Sequence, residues 1–361
     1  MVAEVLPSPA NPFLVYANGG SPIIPTSLPY RDGHVHLSGS NDSNGFSRLL
    51  VTGPHGLPPA ITPEAIREMK AIMHDFLQQC NYEDPSTPKD IELRERMALE
   101  IAAWSLDLPA TFIEQVHETS CHFIETAYVH TTLEHRFFVA RYCAYFLYAD
   151  DLGGRCLDAL IQFPRRFANR EQQLDPVLDR LAEMIRGAHE LWTDVGASAI
   201  IAGTLDALTA FYIEYTTCGL AVKPQAVRYP DYLRLKSGID PPFVAFIFMR
   251  GWRDTAESYV QMLPEIEYWI GATNDLLSFY KEELAQETNN YIHIRAAMEQ
   301  TTGLVILRKL ADEILDTTRR IEGLAAEDAE LAALWHGYKQ GFLEFQIKAP
   351  RYRLSDLGLT E

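Results

Sequence analysis

Apolar residues recur at helical spacing from Thr62 almost to the C-terminus. The pattern predicts helices over 63–79, 87–104, 108–127, 132–150, 172–193, 198–216, 230–236, 241–260, 264–286, 288–297, 302–321 and 328–346. The first has a clear start in Thr62-Pro63-Glu64-Ala65, which reads as an N-cap, a proline at the first helical position and an acid in the first turn. Breaks are expected at Asp84-Pro85, Gly153-Gly154 and 219–224, where Gly, Pro and Asp gather. Alternating strand-like runs are nearly absent and no fixed repeat period occurs, so the pattern implies an all-α domain over residues 61–361. The segments 137–148 and 243–248 are apolar on most of their circumference, which places them at the centre. Residues 1–61 contain nine of the 21 prolines and seven of the 21 glycines with little periodicity, so 1–60 is expected to be an irregular N-terminal arm.

Composition narrows what such a bundle can do. The chain has 361 residues, 47% of them hydrophobic, and a formal net charge of −18. With no block of five Lys/Arg, it is not expected to bind nucleic acid, and a phosphate ligand must be met by metal ions or a few placed cations. Cys80, Cys121, Cys143, Cys156 and Cys218 are dispersed, which fits a reducing compartment and neither a disulfide framework nor a thiolate zinc site. The N-terminus lacks the basic and apolar regions of a signal peptide, and the apolar run 243–249 is too short to span a bilayer. The expectation is a cytoplasmic protein without membrane insertion.

Three local patterns carry candidate chemistry. In Asn274-Asp275-Leu276-Leu277-Ser278-Phe279-Tyr280-Lys281-Glu282, the residues Asn274, Ser278 and Glu282 stand four apart, on one drifting stripe of a helix. Amide, hydroxyl and carboxylate oxygens together suit a hard cation such as Mg²⁺, although a solvated polar face is the plain alternative. Asp150-Asp151 end an apolar helix where the dipole is already negative, a conflict that a bound cation resolves and a simple helix terminator does not need. Arg351-Tyr352 can offer a forked guanidinium and a hydroxyl to a diphosphate, or lie unremarkably at the surface.

In this order and spacing, with 124 residues from Asp150 to Asn274 and 77 from Asn274 to Arg351, the patterns resemble class I terpene synthases, most closely the fungal trichodiene synthase family of sesquiterpene cyclases. Asp150-Asp151 matches the family's aspartate-rich motif, Asn274/Ser278/Glu282 its second metal motif, and Arg351-Tyr352 its terminal pair. Tyr232-Leu233-Arg234-Leu235-Lys236-Ser237-Gly238 then resembles the family's diphosphate sensor, with Arg234 as sensor, Ser237 in the linker place and Gly238 as effector. The likeness covers roughly residues 60–355. It departs from the family at Gly154, where a further acidic residue usually stands.

The resemblance implies one α-helical bundle around a central apolar cavity and three Mg²⁺ ions. Asp150 bridges two of them, and Asn274, Ser278 and Glu282 hold the third. Arg234, Lys281, Arg351 and Tyr352 bind the substrate diphosphate, and Asp151 pairs with Arg351. The implied reaction is ionisation and cyclisation of farnesyl diphosphate by way of a nerolidyl intermediate, and dimers are frequent in the family. Neutralising the departing diphosphate lowers the barrier, and an aromatic wall stabilises the cation. Phe146, Phe211, Tyr215, Phe243, Phe246, Trp269 and Phe345 are the expected lining. The competing readings are an isoprenyl diphosphate synthase, which wants two aspartate-rich motifs, and a non-catalytic helical scaffold. A zinc hydrolase reading of His117-Glu118 with His122 fails because zincins need His four apart, and Glu-x-x-His repeats for a di-iron bundle are lacking.

Overall fold

The computed structural model describes residues 61–359 apart from Gly153 and Asp254, so the expected arm 1–60 lies outside the described residues. The chain forms α1 (Pro63–Gln79), α2 (Ile91–Ala102), α3 (Ala110–Ala127), α4 (Leu133–Leu152), α5 (Leu157–Ala168), α6 (Pro176–Arg186), α7 (Ala188–Leu191) and α8 (Asp194–Thr216). There follow α9 (Tyr229–Ser237), α10 (Asp240–Ala245), α11 (Leu263–Leu284), α12 (Tyr291–Glu299), α13 (Gly303–Ala325) and α14 (Ala329–Lys348), then 3₁₀ turns over Pro350–Tyr352 and Leu354–Leu357. Among the described residues the only β pairing is two isolated bridges.

At least half of the described α-helix starts are set by a side-chain cap. Thr62 Oγ1 accepts from the Ala65 amide at 3.2 Å, and Asp90, Asp175, Thr193, Asn290, Thr302 and Asp328 cap α2, α6, α8, α12, α13 and α14 in the same way. Two expected helices are broken. Residues 172–193 are not one helix, because the chain turns at Gly187 between α6 and α7. The predicted helix 241–260 stops at Ala245. The next amides bond back three residues, Ile247 to Val244 and Phe248 to Ala245, and Met249 then bridges to Trp192. Helix α5 was not predicted; Pro164 inside it and Gly153-Gly154 before it mask its period.

Helices α3, α4, α8, α10, α11 and α14 frame the core: α3 packs on α4 and α14, α8 on α10, α10 on α11, and α11 on α14. Helices α5 and α6 close the gap between α4 and α8, while α1 and α13 back α11. The crossing of α14 on α3 depends on Gly341, where a Cβ would overlap the Thr126 carbonyl. Helix α4 is buried through Phe138, Tyr142, Tyr145, Phe146 and Ala149, as its unbroken apolar run predicts. Helix α8, with 23 residues, is by length and composition alone apolar enough to cross a membrane, unlike the run 243–249. It is packed here against α5, α9 and α10.

Candidate active site

Asn274 Nδ2 donates to Tyr352 Oη at 3.0 Å, which joins the second metal motif to the terminal Arg-Tyr pair. Tyr352 is buried and meets Phe345 edge-on at 5.6 Å. Ser278 is 2% exposed, and its hydroxyl has no hydrogen-bond partner among the described residues. One turn on, half-buried Glu282 accepts from Lys281 Nζ at 3.3 Å. A buried hydroxyl oxygen without a partner is costly unless something binds it. Placed between an amide and a carboxylate, it fits the oxygen-ligand set of a hard cation. No three His, Cys, Asp or Glu side chains among the described residues come together as a metal centre. The expected set does not need that, since Asn274 and Ser278 are amide and hydroxyl ligands.

Asp150 lies in the last turn of α4, half-buried, and its carbonyl accepts from Tyr215 Oη of α8 at 2.6 Å. Burial pushes the Cys143 thiol of α4 up to about 12, while the positive charge of Arg351 works against the rise. Asp151, expected opposite Arg351, instead pairs with Arg155 at 3.5 Å. The turn after α4 brings Arg155 back beside its own helix end, with its guanidinium also 5.1 Å from the Tyr148 ring, so the nearer partner in sequence wins. Gly154 is exposed in that turn.

Arg234 is held in place. Its Nε donates to Asp275 Oδ1 and Oδ2 at 2.9 and 2.7 Å, Nη1 to Asp240 Oδ2 at 3.1 Å and Nη2 to the Gly271 carbonyl at 2.9 Å. Burial works against its charge, but Asp240 and Asp275 more than compensate and it stays protonated. Burial raises both carboxylates, and Arg234 opposes the rise. Asp240, Asp275 and Gly271 escaped the sequence reading. Asp240-Pro241-Pro242 looks like an ordinary helix start, and Asp275 lies inside the metal motif on a face that only packing reveals.

Aromatic side chains expected to line a cavity form a buried cluster with members the sequence reading did not include. Phe123 of α3, also missed, is its hub: it lies 5.2 Å from Phe243, 4.8 Å from Phe345 and 5.8 Å from Phe342. Phe146 stands 4.7 Å from Tyr142 and 6.0 Å from Phe211. Two expected lining residues belong to the packed core instead. Phe246 is fully buried against Trp192, Tyr142 and Phe138. Trp269 donates to Thr318 Oγ1 at 3.0 Å and packs on Trp335 and Phe342. Nine positions before Ser278, it points about half a turn away from the stripe.

Solved structures share this architecture. Linalool/nerolidol synthase from Streptomyces clavuligerus aligns with 75% of the chain and 98% of its own length at a TM-score of 0.54 and 13% identity. The crystal structure of α-eudesmol synthase aligns with 76% and 98% at 0.52 and 14%. The fold is therefore that of the class I terpene synthases. A family model described as trichodiene synthase (TRI5) matches residues 101–358, and the chain belongs to that family. Among its relatives, alpha-cuprenene synthase COP6 of Coprinopsis cinerea is 28% identical over 309 residues, covering 84% of this chain and 94% of that protein. Terpene synthase 29 of Postia placenta is 30% identical over 233 residues, covering 64% and 68%. The protein is a terpene cyclase of a class that uses divalent metal ions and a prenyl diphosphate substrate.

Proposed function

We propose that the protein ionises farnesyl diphosphate, cyclises the resulting cation and releases diphosphate in the cytoplasm. The observation that carries this reading is the Asn274–Tyr352 hydrogen bond, which sets an oxygen-ligand stripe and an Arg-Tyr pair side by side next to the aromatic cluster. Asp150 on α4 and Asn274, Ser278 and Glu282 on α11 would hold three Mg²⁺ ions. Bound there, the ions supply Lewis-acid neutralisation of the diphosphate. Lys281, Arg351, Tyr352 and Arg234 bind and orient that group, and the helix break at Gly238 relays its arrival. Phe123, Phe146, Phe211, Phe243 and Phe345 exclude water and present π-faces to the cation. Tyr215 fixes the end of α4 through the Asp150 carbonyl.

Names among the relatives, which include longiborneol synthase and (E)-beta farnesene synthase, support a sesquiterpene product, whereas one relative is a monoterpene synthase. Purified protein should be incubated with farnesyl, geranyl or geranylgeranyl diphosphate, with and without Mg²⁺, and the extract analysed by gas chromatography–mass spectrometry. A cyclic C15 product that requires Mg²⁺ is expected. Turnover of geranyl diphosphate alone would overturn the chain length, and no turnover of any of the three would overturn the reading.

A further inference from the structure

The four bonds of Arg234 use three of a guanidinium's five N–H donors and leave one on each terminal nitrogen for a ligand. The slot is shaped by two glycines. A Cβ on Gly238 would overlap Arg234 Nη1, and a Cβ on Gly271 would stand 2.6 Å from Asp240 Oδ2 and 3.0 Å from Arg234 Nη2.

Asp240 reaches this slot at a cost. The residue before it, Ile239, adopts φ 62° and ψ 18°, a left-handed conformation that a β-branched residue rarely takes. Asp240 itself is 3% exposed, and its second oxygen, Oδ1, is buried with no hydrogen-bond partner among the described residues. An amide or hydroxyl oxygen could also accept from Nη1, though more weakly than a carboxylate, and Asp275 already supplies one countercharge to the buried guanidinium. What a carboxylate adds is charge. With Asp275 already paired to Nε, Asp240 sets a second buried negative charge against one guanidinium, and the pair together opposes the approach of an anion.

We propose that Asp240 is a positioning residue that competes with diphosphate for Arg234: it holds the guanidinium against α11 and weakens diphosphate binding enough for the product to leave. The inference rests on the reading that Arg234 binds the substrate diphosphate. A site that gathers three cationic side chains and several metal ions around one product risks trapping it, and product release limits turnover in many enzymes. Asp240 lowers that risk by remaining a rival acceptor within reach of Nη1.

The test is isothermal titration calorimetry of inorganic diphosphate in Mg²⁺ buffer on the full chain, Asp240→Asn, Arg234→Gln and the double variant. Asp240→Asn should bind about tenfold more tightly, and the gain should vanish in the Arg234→Gln background, since coupling of that kind marks action through Arg234. In steady state, Asp240→Asn should lower both KM for the prenyl diphosphate and kcat, whereas a merely structural role would leave KM unchanged or higher. Asp240→Ser, smaller and still an acceptor, replaces the Asn variant with the same expectations if that one does not fold. Diphosphate binding that is no tighter in either variant, or a gain that persists without Arg234, would overturn the inference alone. Unchanged diphosphate binding in Arg234→Gln would overturn both the inference and the role of Arg234.

Discussion

Asn274 and Tyr352, 78 residues apart in sequence, are joined by a 3.0 Å hydrogen bond in which the side-chain amide nitrogen donates to the phenol oxygen. With the nitrogen spent on Tyr352, the carboxamide oxygen of Asn274 is oriented away from it, and on the proposed function it is the atom that would meet a cation. Tyr352 therefore fixes which end of the amide faces the site, as an orienting partner does for a metal ligand.

Two substitutions separate those roles. Tyr352→Phe keeps the ring against Phe345 and removes the hydroxyl, which accepts from Asn274 and can donate to the diphosphate, so kcat/KM should fall about five- to tenfold or more with the urea midpoint nearly unchanged. Asn274→Ala removes the ligand and should lower turnover on the order of 10²-fold or more. Equal effects from the two would remove the distinction between orienting residue and ligand.

Ser278 should show function opposed to stability. Its buried hydroxyl has no partner among the described residues, so Ser278→Ala should raise unfolding free energy in metal-free buffer by about 1 kcal/mol. The same variant should lose turnover on the order of 10²-fold. Urea unfolding and product assays on one preparation check both, and a destabilised yet fully active variant would count against a ligand role.

Gly271 tests the slot behind Arg234. A Cβ there would stand 2.6 Å from Asp240 Oδ2, so Gly271→Ala forces the α9–α11 junction apart and should cost about 1–3 kcal/mol by urea unfolding. Because alanine favours helices over glycine by about 1 kcal/mol, a stabilised variant would show that the junction yields freely.

Glu267 gives the bundle a pH signature. Burial, with Asp240 adding to it, pushes its carboxyl from 4.5 up to about 7. A carboxyl whose folded pKa is raised makes the native state bind more protons than the unfolded chain between those values, so stability falls as pH rises through that window. The contribution is fully present below about 4.5 and lost by about 7. Thermal unfolding across pH 4–8 should show a shallower decline in Glu267→Gln than in the parent chain. Parallel profiles would mean that other groups set the slope.

Much of the fold is determined locally and is legible in the chain alone. The prediction for α1 coincides with Pro63–Gln79 because Thr62 and Pro63 carry their own start signal, and α11 was placed within two residues at each end. The oxygen stripe on α11 follows from helical period, as does the central position of α4. The stripe, the Asp150-Asp151 end and the Arg-Tyr pair, taken in order, also specified the class of enzyme.

Tertiary structure decided what depends on a neighbour from another element. Residues 241–260 have the apolar content of a helix, yet Met249 bridges to Trp192 and the helix ends at Ala245. Residue type alone suggests Trp269 and Phe246 for a cavity lining; whether a buried ring faces a cavity or the core is set by rotation of its helix against its neighbours. Arg234 is a single charge in the sequence. Its partners Asp240 and Asp275 become partners only when α9, α10 and α11 pack together, because a charge pair depends on distance in space and spacing along one helix does not report it.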